Sequence, residues 1–373
     1  MNRIVNPFMW AVDLLLPCSM ALFLLPFDPR LSTLPIATWL IIQLIIADHS
    51  SRLLQWSWLA LLLLSLREWW FNNPPHPASI IDGLLLISAI VAASTVAPER
   101  WDRLIALPAI GFLPLIFIIS SKPWTPNPFV GANQAAYLFG LCVSILSVWL
   151  VDGPRRSLDY LIRFFLGLLA FVFLWQTGSR AALISSSVAF LVTIAIHKLS
   201  KQSFWRSFGI MFVAASFVYL LRVFFSSDSS LPGLKAGSDL GRLLAFQCFA
   251  GLPFTGNNRL LYGGGFDRVA ELCQVDFQGL TLDHAHNLYL QIWASTGLLG
   301  SLGFGLLVYL LVKQYNSIEH RINIQLRMCW LACLVYTVSQ GFFDLSLLHW
   351  PVTLIYTGIL LGLPYSFRVS SKI

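Results

Sequence analysis

The chain has 373 residues, of which 57% are apolar and only 11% are charged. Soluble domains carry about 25% charged residues, so this composition excludes a soluble enzyme, a nucleic-acid-binding domain and a disordered chain. The net charge of +7 therefore acts through its distribution across a membrane, and no nucleic-acid partner is expected. At roughly 20 apolar residues per spanning helix, the chain has room for about twelve spans and little else.

Apolar runs broken by charge, proline or glycine predict an all-α polytopic membrane protein with about twelve transmembrane helices. We expect spans 1–9 in residues 1–225, one large loop with short helices in 226–285, and spans 10–12 in 286–373. The first span shows no small-residue cleavage site, so it is expected to be retained. The predicted span cores are 8–27, 32–47, 53–69, 79–97, 104–120, 131–151, 160–176, 180–197, 207–225, 287–312, 324–343 and 345–365.

Lysine and arginine are distributed unevenly between the two sides of these spans. One side collects fifteen of them, whereas the short loops of the other side contain only Arg30, Arg67, Lys122 and Arg180. The positive-inside rule then makes both termini cytoplasmic and turns the loop 226–285 outward.

The large loop is the segment in which water-side chemistry is expected, because loops longer than about 12–15 residues usually carry function. Ser238 or Asp239 is expected to cap a short helix there, and a glycine-rich turn follows at 263–265. Cys248 and Cys273 also lie in this outward, oxidising location. A disulfide between them would stabilise the loop by roughly 3 kcal/mol; the alternative is two unrelated buried thiols.

A histidine motif opens the tenth predicted span. It reads Asp283-His-Ala-His286-Asn287, followed by nine residues and then Gly297-Leu-Leu-Gly300. The pattern resembles the signature of the bacterial O-antigen ligase family. Two arginine segments, Thr177-Gly-Ser-Arg180 and Gly241-Arg242, are similar to segments of the broader ligase and polymerase superfamily, as is Asn133-Gln-Ala-Ala-Tyr137.

The resemblance implies a glycosyltransferase of lipopolysaccharide biosynthesis in the bacterial inner membrane, with its active site facing the periplasm. It would join a glycan carried on undecaprenyl diphosphate to a lipid A-core acceptor, with inversion at the donor sugar. Membrane lipids are the other expected partners, and no cofactor and no metal are expected.

Two other functions stay open. An O-antigen polymerase would use a second polyprenyl-linked glycan as acceptor, and the arginine segments fit it equally well. A solute transporter should show ionisable residues at mid-membrane; Asp13 and Asp82 are the acids of the predicted spans, without evident partners.

His286 is the expected catalytic residue. The motif predicts that it lies in the first turn of a helix that Asp283 caps, where the positive helix end disfavours the imidazolium and attracts an anion such as a diphosphate. The alternative is a histidine that reaches the headgroup zone. Residues two apart do not share a helix face, so His284 is only a supporting candidate. A zinc site formed by both histidines would need a third ligand, and no residue has convincing spacing for that role.

Arg180 and Arg242 are the expected ligands of the donor diphosphate, because a guanidinium binds phosphate oxygens in bidentate fashion. The alternatives are a headgroup anchor for Arg180 and a solvated surface charge for Arg242. Arg268, Asn287 and Asp344 are supporting candidates; Asp344 would orient a base or a sugar hydroxyl, or simply begin a helix.

Four glycines follow the histidine along the tenth span. In a membrane helix, small residues at such spacing most often permit close packing against a neighbour. We therefore expect the set to position the helix, without chemistry of its own: Gly297, Gly300, Gly303 and Gly305.

Overall fold

A computed structural model describes part of the chain in a single copy. The described residues are 90, 132–152, 158–198, 236–256, 258–265, 268–273, 275–277, 280–282, 284–317, 324–344 and 351–362. The first five predicted spans, the ninth span, Asp13, Asp82, Asp283 and both chain ends lie outside them, apart from Ile90. The count of twelve spans, the residue ranges of the three segments and the cytoplasmic termini therefore stay predictions.

The described part is mainly helical, as predicted, and its long helices follow the apolar runs of the sequence. The first three helices agree closely with the predicted cores, because each is an unbroken apolar segment bounded by polar or glycine residues. The helices are α1 Ala132–Asp152, α2 Leu158–Gln176, α3 Arg180–Lys198, α4 Ala236–Gly251, α5 Arg259–Tyr262, α6 Arg268–Leu272, α7 Leu288–Ser317, α8 Ile324–Gly341 and α9 Pro351–Gly362.

The large loop differs from the prediction in two details. Helix α4 begins at Ala236, so Ser238 and Asp239 lie inside it and do not cap it. Two short strands that the sequence did not indicate, β1 Val275–Phe277 and β2 Leu280–Leu282, pair antiparallel with Asp276 opposite Thr281. A 3₁₀ turn at Leu252–Phe254 follows α4 directly.

Helices α1, α3 and α8 pack against one another, with α2 beside α1 and α9 beside α8. Their contact surface contains polar bridges as well as apolar packing. The Tyr137 hydroxyl lies 3.2 Å from Thr337 Oγ1 and 3.0 Å from Thr357 Oγ1, and the Tyr336 hydroxyl donates to the Tyr137 carbonyl at 2.9 Å. Because all four side chains are buried, these bonds supply partners that water cannot supply there. They tie α1, α8 and α9 into one unit.

Two of the described helices are long and apolar enough to cross a membrane by length and composition. They are the segments Arg180–His197 and Leu288–Gln314, and shorter apolar helices occupy Ala135–Val151 and Arg163–Gln176. The exposed face of α2 is rich in leucine and phenylalanine, including Leu161, Phe165 and Leu168. This composition is typical of a helix in contact with lipid.

Helix α7 is broken where the sequence predicted a continuous span. Gly297 has φ 62° and ψ −154°, so two helical segments meet at this residue. The positive φ is a conformation that glycine adopts without steric cost. Gly297 therefore does more than permit packing, whereas an added Cβ at Gly303 or Gly305 would have no neighbour within 4 Å.

The glycine turn of the large loop forms hydrogen bonds with the backbone of α7 at this break. The amides of Gly264 and Gly265 donate to the carbonyls of Ala294 and Ser295 at 2.7 and 2.9 Å. In an unbroken helix these carbonyls would accept the amides four residues further along. The loop thus provides donors for carbonyls that the break releases, as an apolar environment requires.

Replacing Gly297 by alanine is expected to destabilise the protein. This backbone conformation, which is nearly confined to glycine, costs an alanine about 1–3 kcal/mol, and the alanine Cβ would overlap the backbone of residues 261–263. Gly303→Ala on the same helix is the matched control, since its Cβ meets open space and alanine favours a helix. Thermal unfolding in detergent should show a drop of several degrees for Gly297→Ala alone; equal midpoints for the two variants would contradict this account.

Candidate functional site

His286 lies just before helix α7, and not in its first turn as the sequence predicted. The helix begins at Leu288 and is capped by Asn287. The prediction that Asp283 caps this helix is therefore wrong. The Asn287 Oδ1 accepts the amides of Tyr289 and Leu290 at 3.0 Å each. These are two of the amides that a helix start leaves without a partner.

Asn287 also connects this helix start to the end of α8. Its Nδ2 donates to the Phe342 carbonyl at 3.0 Å. The neighbouring Tyr289 donates its hydroxyl to the Val338 carbonyl at 2.7 Å, and its ring lies 4.6 Å from that of Phe342 between centroids. The side chains of Asn287, which with His286 forms the His-Asn motif, and of Tyr289 therefore hold the start of α7 against the end of α8.

His286 has a left-handed backbone with φ 47°, which is uncommon for a residue with a side chain. Its Nδ1 lies 3.9 Å from Oδ1 of Asp344, and the two side chains are only 12% and 7% exposed. The Nδ1 atom is buried without a hydrogen-bond partner among the described residues. The exposed part of the imidazole therefore lies away from Nδ1, the atom that faces the carboxylate.

The distance of 3.9 Å between Nδ1 and the carboxylate oxygen exceeds a hydrogen bond, but catalytic hydrogen bonds are often long before a substrate binds. Asp344 follows the last turn of α8, where its amide donates to the Gln340 carbonyl at 3.0 Å. The turn positions the carboxylate beside a histidine that is distant in sequence. The carboxylate thus lies beside the imidazole, and the predicted roles of Asp344, to orient a base or a sugar hydroxyl or to begin a helix, stay predictions.

His284 lies against His286, with ring centroids 3.9 Å apart and the ring planes tilted by 47°. Between them, the amide of Ala285 donates to Oε1 of Gln291 at 3.0 Å. Gln291 is a residue that the sequence did not single out, although its place one turn after Asn287 on α7 is a readable signal. It closes the turn that carries both histidines.

Gln340 is a second residue that the sequence did not indicate. It is 1% exposed, and neither atom of its side-chain amide has a hydrogen-bond partner among the described residues. A buried amide without partners costs on the order of 1–3 kcal/mol. Its carbonyl accepts the amide of Asp344, one turn later, at 3.0 Å.

Arg180 is the first residue of α3 and is exposed. The turn before it is closed by Thr177 Oγ1, which donates to the Leu174 carbonyl at 2.7 Å and accepts the Ser179 amide at 3.2 Å. Gly178 adopts φ 65° in this turn. The Thr-Gly-Ser-Arg segment therefore ends one helix and begins the next, with the guanidinium free of protein partners among the described residues.

Arg242 lies on α4 and is partly exposed, whereas Arg268 is the exposed first residue of α6. Among the described residues, no contact joins Arg180 or Arg242 to the histidine cluster. The structure thus brings together His284, His286, Asn287 and Asp344, while Arg180 and Arg268 are exposed on α3 and α6 and Arg242 is partly exposed on α4.

Cys248 and Cys273 form a disulfide in the structure. It joins α4 to the residue that follows α6. The described residues contain no group of three or more histidine, cysteine, aspartate or glutamate side chains with the arrangement of a metal site. Several acids of the loop, including Asp267, Asp276 and Asp283, have side chains that the structure does not describe.

Residues 165–305 match the model of a family described as O-antigen ligase. No curated protein sequence matches the chain significantly. The matched segment runs from α2 to the second half of α7 and includes Arg180, Arg242 and the His-Asn motif. The resemblance predicted from the sequence is therefore confirmed.

The match to this family suggests a membrane glycosyltransferase of the ligase or polymerase type. It also indicates lipid-linked glycan substrates and a place in lipopolysaccharide biosynthesis. Together with the apolar helices, it supports a membrane location.

Proposed function

Because residues 165–305 match the O-antigen ligase family, we propose that the protein transfers a glycan from undecaprenyl diphosphate to a lipid A-core acceptor. Transfer takes place on the periplasmic side of the inner membrane and inverts the donor sugar. The observation that carries the proposal is the shielded pair of His286 and Asp344 at the start of α7. A base held at a helix end, beside a loop with exposed arginines, suits the transfer of a glycan from an anionic carrier.

His286 is the proposed general base. An Nδ1 proton directed at Asp344 leaves Nε2 as the proton acceptor, and the carboxylate stabilises the imidazolium once it forms. The acceptor hydroxyl gives its proton to Nε2 while its oxygen bonds to the anomeric carbon. The bond from that carbon to the diphosphate oxygen breaks, and its electron pair leaves with the polyprenyl diphosphate. His284 and Asn287 support the base by holding its ring and its backbone.

Arg180 and Arg242 are the proposed diphosphate ligands. The departing diphosphate is already an anion, so it needs fixed positive charge more than it needs a proton. Both arginines are exposed or partly exposed and have no protein partner among the described residues, which leaves their donors available to phosphate oxygens. Arg268 is a supporting candidate in the same loop.

Two other functions make different predictions for a deletion strain. A missing ligase leaves bare lipid A-core and polymer retained on the carrier. A missing polymerase, which would use a second polyprenyl-linked glycan as acceptor, leaves core with single-unit caps. If the protein is a transporter, its deletion leaves the surface lipopolysaccharide unchanged. Analysis of surface lipopolysaccharide by gel electrophoresis separates the three, and capped core in the deletion strain would replace the ligase proposal by the polymerase.

His286→Ala is expected to reduce turnover by about 10²-fold or more, because it removes the general base. Asp344→Asn keeps the shape but removes the charge that orients the imidazole, so a loss on the order of tenfold is expected. His197→Ala on α3 is the control, since this histidine lies outside the cluster. Turnover is measured with purified protein of unchanged elution profile, and near-normal transfer by His286→Ala would remove His286 from the mechanism.

Arg180→Lys and Arg242→Lys are expected to impair transfer, because lysine keeps the charge but lacks the planar fork that binds two phosphate oxygens. The alanine variants should be worse, mainly through a higher KM for the polyprenyl diphosphate donor. Lys313→Ala, which removes an exposed cation near the end of α7, is the control. If both alanine variants show wild-type donor kinetics, the diphosphate binds elsewhere.

Transfer is also expected to persist in excess EDTA. Many enzymes that handle diphosphates neutralise them with a divalent ion, whereas fixed arginines make an ion unnecessary here. The measurement is turnover by purified protein before and after chelation. Loss of turnover that magnesium or manganese restores would assign this role to the acidic residues of the loop.

A further inference from the structure

The disulfide between Cys248 and Cys273 encloses the part of the loop that reaches helix α7. The enclosed residues include the 3₁₀ turn, α5, the glycine turn and α6. Helix α4, which carries Arg242, lies at one end of this closed loop. The crosslink therefore connects the arginine helix to everything that the glycine turn contacts.

The enclosed loop holds α7 through its backbone. Gly264 and Gly265 donate to the carbonyls of Ala294 and Ser295. Gly263 and Gly297 pack so closely that a Cβ on either would overlap the backbone of the other segment. In addition, the Trp293 indole donates to the Ala250 carbonyl at 3.2 Å. These contacts leave the loop little freedom to slide along α7 while the loop keeps its shape.

The disulfide itself packs against the segment that carries the histidine. One buried cluster contains Cys273, Ala285 and Ala294, with Cys248 and Leu290 against it. Ala285 is fully buried and directly precedes His286. The crosslink and the residue next to the proposed base thus share the same apolar core.

We propose that Cys248 and Cys273 are positioning residues for the transfer reaction, which makes turnover depend on their disulfide. This inference rests on the proposed function. The crosslink keeps α4, with Arg242, in one arrangement relative to the start of α7, with His286. A misplacement of about 1 Å between reacting groups can lower a rate by about 10²-fold, so a loosened loop loses turnover even when the helices stay folded.

Reduction by dithiothreitol opens the link. One thiolate of the reagent attacks a cysteine sulfur, the other cysteine leaves as a thiolate, and the second thiol of the reagent then closes a ring. The reagent supplies two electrons and two protons, and the protein gains two thiols. Cys248 is the partly exposed member of the pair and is the sulfur that the reagent reaches.

The test compares full-length wild type, the double variant Cys248→Ala/Cys273→Ala and the control Cys142→Ala, which removes a buried free thiol of α1. Hydrogen exchange of the amides of residues 263–265 is measured with and without dithiothreitol. We expect at least tenfold faster exchange in the double variant and in reduced wild type, and no change in Cys142→Ala. Equal exchange in all states would overturn the proposal, whether or not the protein transfers glycan.

Turnover of the same samples separates positioning from a purely structural role. Reduced wild type and the double variant should show at least a tenfold lower kcat with an unchanged elution profile. Reoxidation with glutathione disulfide should restore the wild type, and the double variant should not respond to either reagent. Faster exchange with unchanged kcat would overturn the proposal, whereas wild type without any transfer would reject the proposed function and leave the exchange result standing.

Discussion

A broken helix in an apolar environment is tolerated only where other groups take up the hydrogen bonds that it releases. In this protein, the glycine turn at 263–265 provides those donors to Ala294 and Ser295. Glycine is required on both sides, because any side chain on Gly263 or Gly297 would separate the two backbones. Together with the Trp293–Ala250 hydrogen bond and the apolar cluster around Ala294, this contact sets where the loop lies on α7 and how it relates to the His-Asn motif.

The surroundings of His286 combine three separate elements. The histidine turn is closed by Gln291 from α7, Asn287 caps α7 and also donates to the end of α8, and Asp344 approaches from beyond α8. Gln291 and Asn287 satisfy backbone groups around the histidine, and the Asp344 carboxylate lies beside the imidazole. The imidazole therefore has few alternative arrangements. Such preorganisation is what a catalytic base needs, and it suits the role that we propose.

The arginines differ from the histidine in their exposure, and their chemistry explains the difference. A guanidinium stays charged at all relevant pH values and is costly to bury without a partner. Arg180 is exposed and Arg242 is partly exposed, so both guanidinium groups are accessible to the anion that we propose they bind. A base, in contrast, profits from a shielded site in which its orientation is held. The two parts of the proposed mechanism thus require the different environments that the described residues show.

The sequence by itself indicated a membrane protein and the resemblance to the O-antigen ligase family, because apolar runs and the spacing of the His-Asn motif are local patterns. It also predicted α1, α2 and α3 closely, since each is a continuous apolar segment. It did not reveal the break at Gly297, because Gly-x-x-Gly is equally typical of helix packing. It placed the cap of α7 at Asp283, because an aspartate before an apolar run is an ordinary cap and Asn287 shows its bonds only in the folded turn. Only the tertiary structure decided that Asp344 faces His286 and that Cys248 bonds Cys273, because these contacts depend on how distant segments pack.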